Sequence, residues 1–356
     1  MNWRPEIEDI KELRRLALEQ GGTENVNRQH SKGRLTIRER IRSLLDPKTF
    51  QEVGPAAGAS ERDKNGQLIS FTPANFVVGL GKIDGRRCVA SGEDFTVKGG
   101  SPNAAGLRKS IYAEHLACRY RVPLVRLHEG GGGSVGSAPT GNTTVGTPVY
   151  EPHRFRPVAE AMSTVPVATA ALGPVAGLPA ARLVAAHLSV MARDNAQVLI
   201  AGPAVVERAL GERTTKEELG GAKVHTKNGV IDNLADNEAH AFQQIRTFLG
   251  YLPPNIWELP PVAISNDKPN REEPELRGII PRDRRKLYNI YKLLEHILDD
   301  SSFFEIGAGY GRGQVTGLAR LNGQPVGIWA NNCRYLAGAM TAIGARKARR
   351  FIEFCE

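Results

Sequence analysis

A ten-residue stretch near the start of the chain returns near its end. Leu45-Asp46-Pro47-Lys48-Thr49-Phe50-Gln51-Glu52-Val53-Gly54 is echoed by Leu298-Asp299-Asp300-Ser301-Ser302-Phe303-Phe304-Glu305-Ile306-Gly307, an offset of 298 − 45 = 253 residues. Gly79-Leu80-Gly81-Lys82-Ile83-Asp84-Gly85 returns as Gly317-Leu318-Ala319-Arg320-Leu321-Asn322-Gly323 at 317 − 79 = 238, and Arg108-Lys109 matches Arg346-Lys347 at the same 238. Solenoid repeats run to about 20–50 residues, so this spacing implies two copies of a whole domain. The first copy continues through Pro123–Leu127 into four glycines, Gly130 to Gly133, whereas the sequence stops at Glu356 before an equivalent loop. The expectation is that any chemistry of that loop occurs once in a plan with two places for it.

A length of 356 residues fits about two domains. The four cysteines (Cys88, Cys118, Cys333, Cys355) show no CxxC pair or paired spacing, so neither a zinc ribbon nor a disulfide framework is indicated. The N-terminus is too acidic for a targeting peptide, and no run approaches the ~18 apolar residues of a membrane span. A cytoplasmic protein with reduced thiols is expected. The net charge of +9 comes from scattered clusters at Lys32–Arg42, Arg282–Lys286 and Arg346–Arg350. None has the interleaved aromatics used to stack bases. Solvated helix faces, or a phosphorylated small molecule, account for them better than nucleic acid.

Strand and helix signals alternate along the chain. Residues 6–20 read as a surface helix. Thr36 with Glu39 forms a capping box, ahead of Ile37, Ile41, Leu44 and Leu45 at helical spacing. Phe76–Leu80 and Arg87–Ala90 flank Asp84-Gly85, a hairpin signature. A helix at 104–120 leads to a strand at 122–127, a strand at 166–172 to a helix at 178–193, and a strand at 198–200 to a helix at 203–210. Such alternation predicts an α/β fold with a parallel sheet. Prolines and charges between Tyr251 and Pro281 mark a linker.

In such folds ligands bind where strands turn into helices. Leu127–Ser134 (LHEGGGGS) follows one apolar strand and Leu172–Pro179 (LGPVAGLP) another. Glycine-rich turns let backbone N–H groups approach a ligand, and two of them suit a two-donor oxyanion hole. His128 and Glu129 could instead serve as an acid–base pair, although neighbours on a strand face opposite ways. His225 lies in a glycine-bounded turn. No Ser-His-Asp or metal-ligand spacing stands out. Phe304–Gly311 (FEIGAGYG) resembles a methyltransferase glycine motif, but only 45 residues follow it, and Arg312 stands where a nicotinamide fingerprint needs its third glycine.

Taken together, Gly33–Ile41 (GRLTIRERI), Glu93–Ser101 (EDFTVKGGS), Gly202-Pro203, Glu217–Thr226 (EELGGAKVHT), Leu298–Ile306 (LDDSSFFEI) and Arg349–Cys355 (RRFIEFC) resemble the carboxyltransferase (beta) subunit of biotin-dependent acyl-CoA carboxylases, most like the propionyl-CoA type. The resemblance covers nearly the whole chain. It implies duplicated crotonase-like βαβ halves, an acyl-CoA-binding half at 1–265 and the start of a biotin-side half at 266–356, incomplete. It further implies transfer of a carboxyl group from carboxybiotin to the α-carbon of a short-chain acyl-CoA. The enolate would be held by backbone amides, and biotin carried by a biotin carboxylase/carboxyl carrier partner. Homo-oligomers would form through contacts between unlike halves, with no metal, nucleic acid or membrane involved.

By the same resemblance, Gly131, Gly132, Gly177 and Leu178 are the catalytic backbone positions. Lys32, Arg34, Arg38, Gly99, Gly100 and Gly173 are candidates for holding CoA. Three features depart from the family pattern. Gly130–Ser134 (GGGGS) stands for Ser-Gly-Gly-Ala-Arg and Ala176–Pro179 (AGLP) for Ala-Gly-Gly-Ala, both of which reshape the acyl pocket. The family's second half also continues with a strand and an Asp-x-Pro-Gly-Phe loop, so the chain is expected to be a fragment or to be completed by another polypeptide. A decarboxylase subunit, a crotonase-like hydratase or isomerase, and a non-catalytic assembly subunit remain as rival readings.

Overall fold

The computed structural model describes residues 2–132 and 153–356, apart from Asn266, Pro269 and Arg284. Three helices open the chain, α1 (Arg4–Leu18), α2 (Thr23–His30) and α3 (Ile37–Leu44). The Thr36–Glu39 capping box forms as expected, and Ile37, Ile41 and Leu44 are buried beneath the helix. Strand β1 (Gln51–Glu52) precedes two hairpins, β2 (Gly58–Arg62) with β3 (Leu68–Pro73), then β4 (Phe76–Ile83) with β5 (Arg86–Glu93). Asp84 and Gly85 both take left-handed φ (50° and 77°), the geometry of a two-residue turn between twisted strands.

Helices and strands then alternate: α4 (Ala104–Tyr120), β6 (Leu124–Gly130), α5 (Arg156–Met162), β7 (Val167–Ala176), α6 (Leu178–Val184) and β8 (Leu188–Ala192). There follow β9 (Gln197–Leu199), α7 (Pro203–Leu210), α8 (Lys216–Gly220), α9 (Ala222–Asn228), β10 (Asn233–Ala235) and α10 (Glu238–Tyr251). The helix expected at 178–193 is thus a seven-residue helix followed by a strand. Leu188–Ala192 is buried throughout, and a strand covered on both faces reads as a continuous apolar run, not an alternating one.

The main sheet runs β1-β4-β5-β6-β7-β8-β10, with β9 on the far end of β7. Pairs from β5 through β8 and on to β10 are parallel. One core, containing Val125, Leu127, Val190 and Phe248, fills the face toward α3 and α10; a second, containing Val89, Leu116, Leu124 and Val167, lies under α4.

Beyond the proline-rich stretch come α11 (Leu276–Ile279), α12 (Ile290–Ile297), β11 (Phe304–Glu305), β12 (Gln314–Leu321), β13 (Gln324–Asn331) and α13 (Ala342–Cys355). From α12 onward these repeat α3, β1, β4, β5 and α4 in order. The change of offset from 253 to 238 is the β2–β3 hairpin, present in the first copy between β1 and β4. The copies agree in detail. The carboxylate of Asp46 accepts the N–H groups of Asp84 and Gly85, and that of Asp299 those of Asn322 and Gly323. Lys109 and Lys347 each donate to the carbonyl of the matching glycine, Gly54 or Gly307. The second copy has a small core of its own around Ile290, Leu294 and Val315, while Ile306, Leu318 and Phe351 join the main core. Packing is therefore shared across the expected boundary at 265. Among the described residues no helix is long and apolar enough to cross a membrane.

Candidate active site at the carboxyl edge of the sheet

Strands β5, β6 and β7 end side by side, and the turns after them meet. A side chain at Gly132 would put its Cβ 2.8 Å from the Ala176 carbonyl oxygen, and one at Gly100 would lie 2.7 Å from that of Glu129. The Gly131 N–H donates to the Gly99 carbonyl at 2.9 Å. Gly132 (φ 70°) and Gly177 (φ 62°, ψ −127°) occupy backbone regions that L-residues rarely adopt. The structure thus brings together Gly99, Gly100, Gly131, Gly132, Gly177 and Leu178. Gly133 and Ser134 lie outside the described residues.

The four expected backbone donors are not equivalent. The Gly131 N–H is committed to Gly99, and the Gly177 N–H donates to the Leu199 carbonyl at 3.2 Å. Among the described residues, the N–H groups of Gly132 and Leu178 have no acceptor. Leu178 opens α6, where the first-turn amides lack intrahelical partners. Among the described residues, one unbonded N–H therefore comes from each turn.

Gly173 is not part of this edge. It sits inside β7, and a Cβ there would come within 2.4 Å of the Glu129 carboxylate; the glycine makes room for that group. Arg34 and Arg38 are committed internally as well. Arg34 is buried, lies over the Phe95 ring and binds Glu129 at 2.5 Å. Arg38 forms a two-pronged pair with Glu52 at 2.7 and 3.2 Å. Of the expected phosphate-binding cations, Lys32 alone is exposed. Lys98, also exposed, sits in the Lys98–Gly100 turn beside Gly99. Its place in the Glu93–Ser101 motif was the signal that could have marked it.

His128 and Glu129 do face opposite sides, and both are fully buried. The His128 Nδ1 lies 3.1 Å from Glu93 with no exposed surface. Burial works against the Glu93 carboxylate, but His128 and then Arg182 outweigh it and hold the group below its usual range. Glu129 is enclosed by Gln29, Arg34 and Arg40. These partners lie 95 to 100 residues from Glu129 where bonded by Arg34 and Gln29, beyond the reach of local sequence patterns. The His225 Nε2–H donates to the Val198 carbonyl, 2.7 Å away, and secures α9 to β9.

A sequence profile described as "Carboxyl transferase domain" matches residues 28–356. The chain belongs to this family. Among its relatives, the propionyl-CoA carboxylase carboxyltransferase subunit of Haloferax mediterranei is 34% identical, over 100% of this chain and 68% of its own length. Methylmalonyl-CoA decarboxylase subunit alpha of Veillonella parvula is 32% identical, over 94% of this chain and 65% of its own. Transcarboxylase 12S, solved as a hexamer with methylmalonyl-coenzyme A and methylmalonic acid bound, superposes with a TM-score of 0.86 at 28% identity, over 100% of this chain and 68% of that one. The chain thus spans 64–68% of the length of these curated relatives and the human propionyl-CoA carboxylase beta chain. The crotonase-like α/β fold expected from the sequence is the fold observed.

Proposed function

We propose that this chain binds a short-chain acyl-CoA and takes part in moving a carboxyl group between biotin and the α-carbon of the thioester. The observation that carries this reading is the pair of amides, Gly132 and Leu178, one from each glycine turn, that have no acceptor among the described residues. A hydration reaction needs a carboxylate or imidazole at the substrate, and among the described residues the candidates beside these turns, Glu93, His128 and Glu129, are buried. Two backbone dipoles held by the turns suit the oxygen of an enolate. Lys32 and Lys98 are the exposed cations suited to the CoA phosphates.

Biotin, carried on a partner polypeptide, supplies the carboxyl group in this reading. This chain's own contribution is to bind the thioester, orient its α-carbon and hold the oxygen as charge develops. The second repeat supports a matching role on the donor side: its turn Leu336–Gly338 copies Lys98–Gly100, with φ of 48°, 53° and 76° against 53°, 61° and 67°. Homo-oligomers joining unlike halves would bring the two turns together, in line with the hexamer described for transcarboxylase 12S. The likeness to a methylmalonyl-CoA decarboxylase subunit favours, as a second reading, the same site working in the decarboxylating direction.

Isothermal titration of the chain with acetyl-, propionyl- and longer acyl-CoAs tests the reading. Saturable binding that prefers one short acyl group, and is weakened in a folded Gly132→Val variant, is the expected outcome. A folded wild-type chain that binds no acyl-CoA overturns it.

A further inference from the structure

One group of buried charges in the first copy has no part in the chemistry just described. Arg40 grips Glu238 through two bonds of 2.9 and 2.7 Å, and also binds Glu129 at 2.7 Å and the Leu172 carbonyl at 3.2 Å. Arg34 binds the other oxygen of Glu129 at 2.5 Å, and the Gln29 amide adds a bond of 2.5 Å. Two arginines and two glutamates balance in charge, and all four side chains are nearly inaccessible, with 0 to 8% exposed. The cluster ties the α2–α3 segment and α10 to the ends of β6 and β7.

Buried ion pairs of this sort seldom add net stability over well-packed apolar groups, because desolvation offsets the attraction. What they add is direction. A carboxylate fixed by three donors tolerates only one placement of the backbone that bears it. Glu129 immediately precedes Gly130–Gly132. Its carbonyl packs against Gly100, and its carboxylate fills the space beside Gly173. It is therefore in contact with elements leading to all three turns.

We propose that Glu129 is the positioning residue of the site, its clamp by Arg34 and Arg40 setting where the Gly132 N–H points and so how strongly the thioester oxygen is polarised. The proposal rests on the acyl-CoA reading above. Glu129 never meets the substrate; it acts through the backbone that follows it. A change that keeps its shape but removes its charge loosens the Gly130–Gly132 turn and leaves the CoA-binding surface unaltered.

Difference infrared spectroscopy of [1-¹³C]propionyl-CoA bound to the full chain reads this directly, since polarisation lowers the carbonyl stretch. In the wild type, binding shifts the band down. In Glu129→Gln the affinity for free CoA stays within about threefold of wild type, while most of the carbonyl shift is lost. Because Glu129→Gln leaves an unbalanced buried cation, the charge-balanced pair Arg34→Gln/Glu129→Gln is measured beside it and carries the test if the single variant does not fold. A full wild-type shift in either folded variant overturns the positioning role. A wild type that binds propionyl-CoA with no shift overturns the oxyanion reading on which it stands.

Discussion

The clamp around Glu129 can be strained by one methyl group. In Gly173→Ala the new Cβ would lie 2.4 Å from both Cδ and Oε1 of Glu129 and 2.6 Å from its Cγ. Ordinary contacts between such atoms are about 3.5–4.0 Å, so the carboxylate must move by about an ångström. The bonds to Arg34 at 2.5 Å and Arg40 at 2.7 Å cannot both follow that shift, because Arg40 is held separately by Glu238. Breaking a buried pair costs about 3–5 kcal/mol. At about 2.1 cal/mol/K per residue, unfolding entropy is about 0.75 kcal/mol/K for a chain of 356 residues. The expected loss is about 4–7 °C in melting temperature by calorimetry, if the chain unfolds in one transition. Gly250→Ala, inside α10 with nothing within 4 Å of the new Cβ, is the control and should gain up to about 1 kcal/mol from helix propensity. Glu129→Gln damages the same cluster, so its penalty and that of Gly173→Ala should not add. Were Gly173→Ala to melt within a degree of wild type, the close packing of Glu129 against β7 would be wrong.

Two further outcomes follow from buried or bonded groups. Asp46 is held below its usual range by the Gly85 N–H, against burial, with help from the Asp84 N–H and Arg246. Asp299 is also lowered: burial opposes this, and the N–H groups of Gly323 and Asn322 outweigh it. A carboxyl whose folded value lies below its unfolded value, about 3.9, stabilises fully above that pH and less as pH falls through the folded value. Asp46→Asn and Asp299→Asn should each cost about 1–2 kcal/mol near pH 7, and the gap to wild type in urea titrations should narrow from pH 5 toward 3; a pH-independent gap would contradict this. Burial pushes the Cys88 thiol up to about 12, so native protein treated with iodoacetamide at pH 8 should be modified at the exposed Cys355 and spared at Cys88. Early labelling of Cys88 by mass spectrometry would place it outside the core.

Much of the architecture was legible because the copies are. The repeat at offsets 253 and 238 turned out to be five matching elements, and the 15-residue difference between the offsets an extra hairpin. The capping box at Thr36, the turn at Asp84-Gly85 and the helix at 104–120 all rest on local rules: side-chain capping, left-handed turn residues and helical spacing. The 178–193 segment failed those rules, since an apolar run covered on both faces has no period to distinguish strand from helix.

The candidate site was half legible. Its glycines announced themselves, because a backbone that must take φ of 60–70° or admit a close neighbour has few substitutes. Which amides are free was not, for that depends on acceptors from other elements: Leu199 takes the Gly177 N–H and Gly99 that of Gly131. Nor could the sequence separate a phosphate-binding arginine from a structural one.

The sequence by itself determined the duplicated α/β plan, the family and the glycine turns, all of which follow from local conformational preference and recurring motifs. Only the tertiary structure decided that Arg34, Arg38, Glu129 and Gly173 are internal fittings and that, among the described residues, the N–H groups of Gly132 and Leu178 have no acceptor. Charge pairing and hydrogen bonding are settled between groups up to 203 residues apart, as Glu238 and Leu35 are; a chain read in order carries the residue types but not their partners.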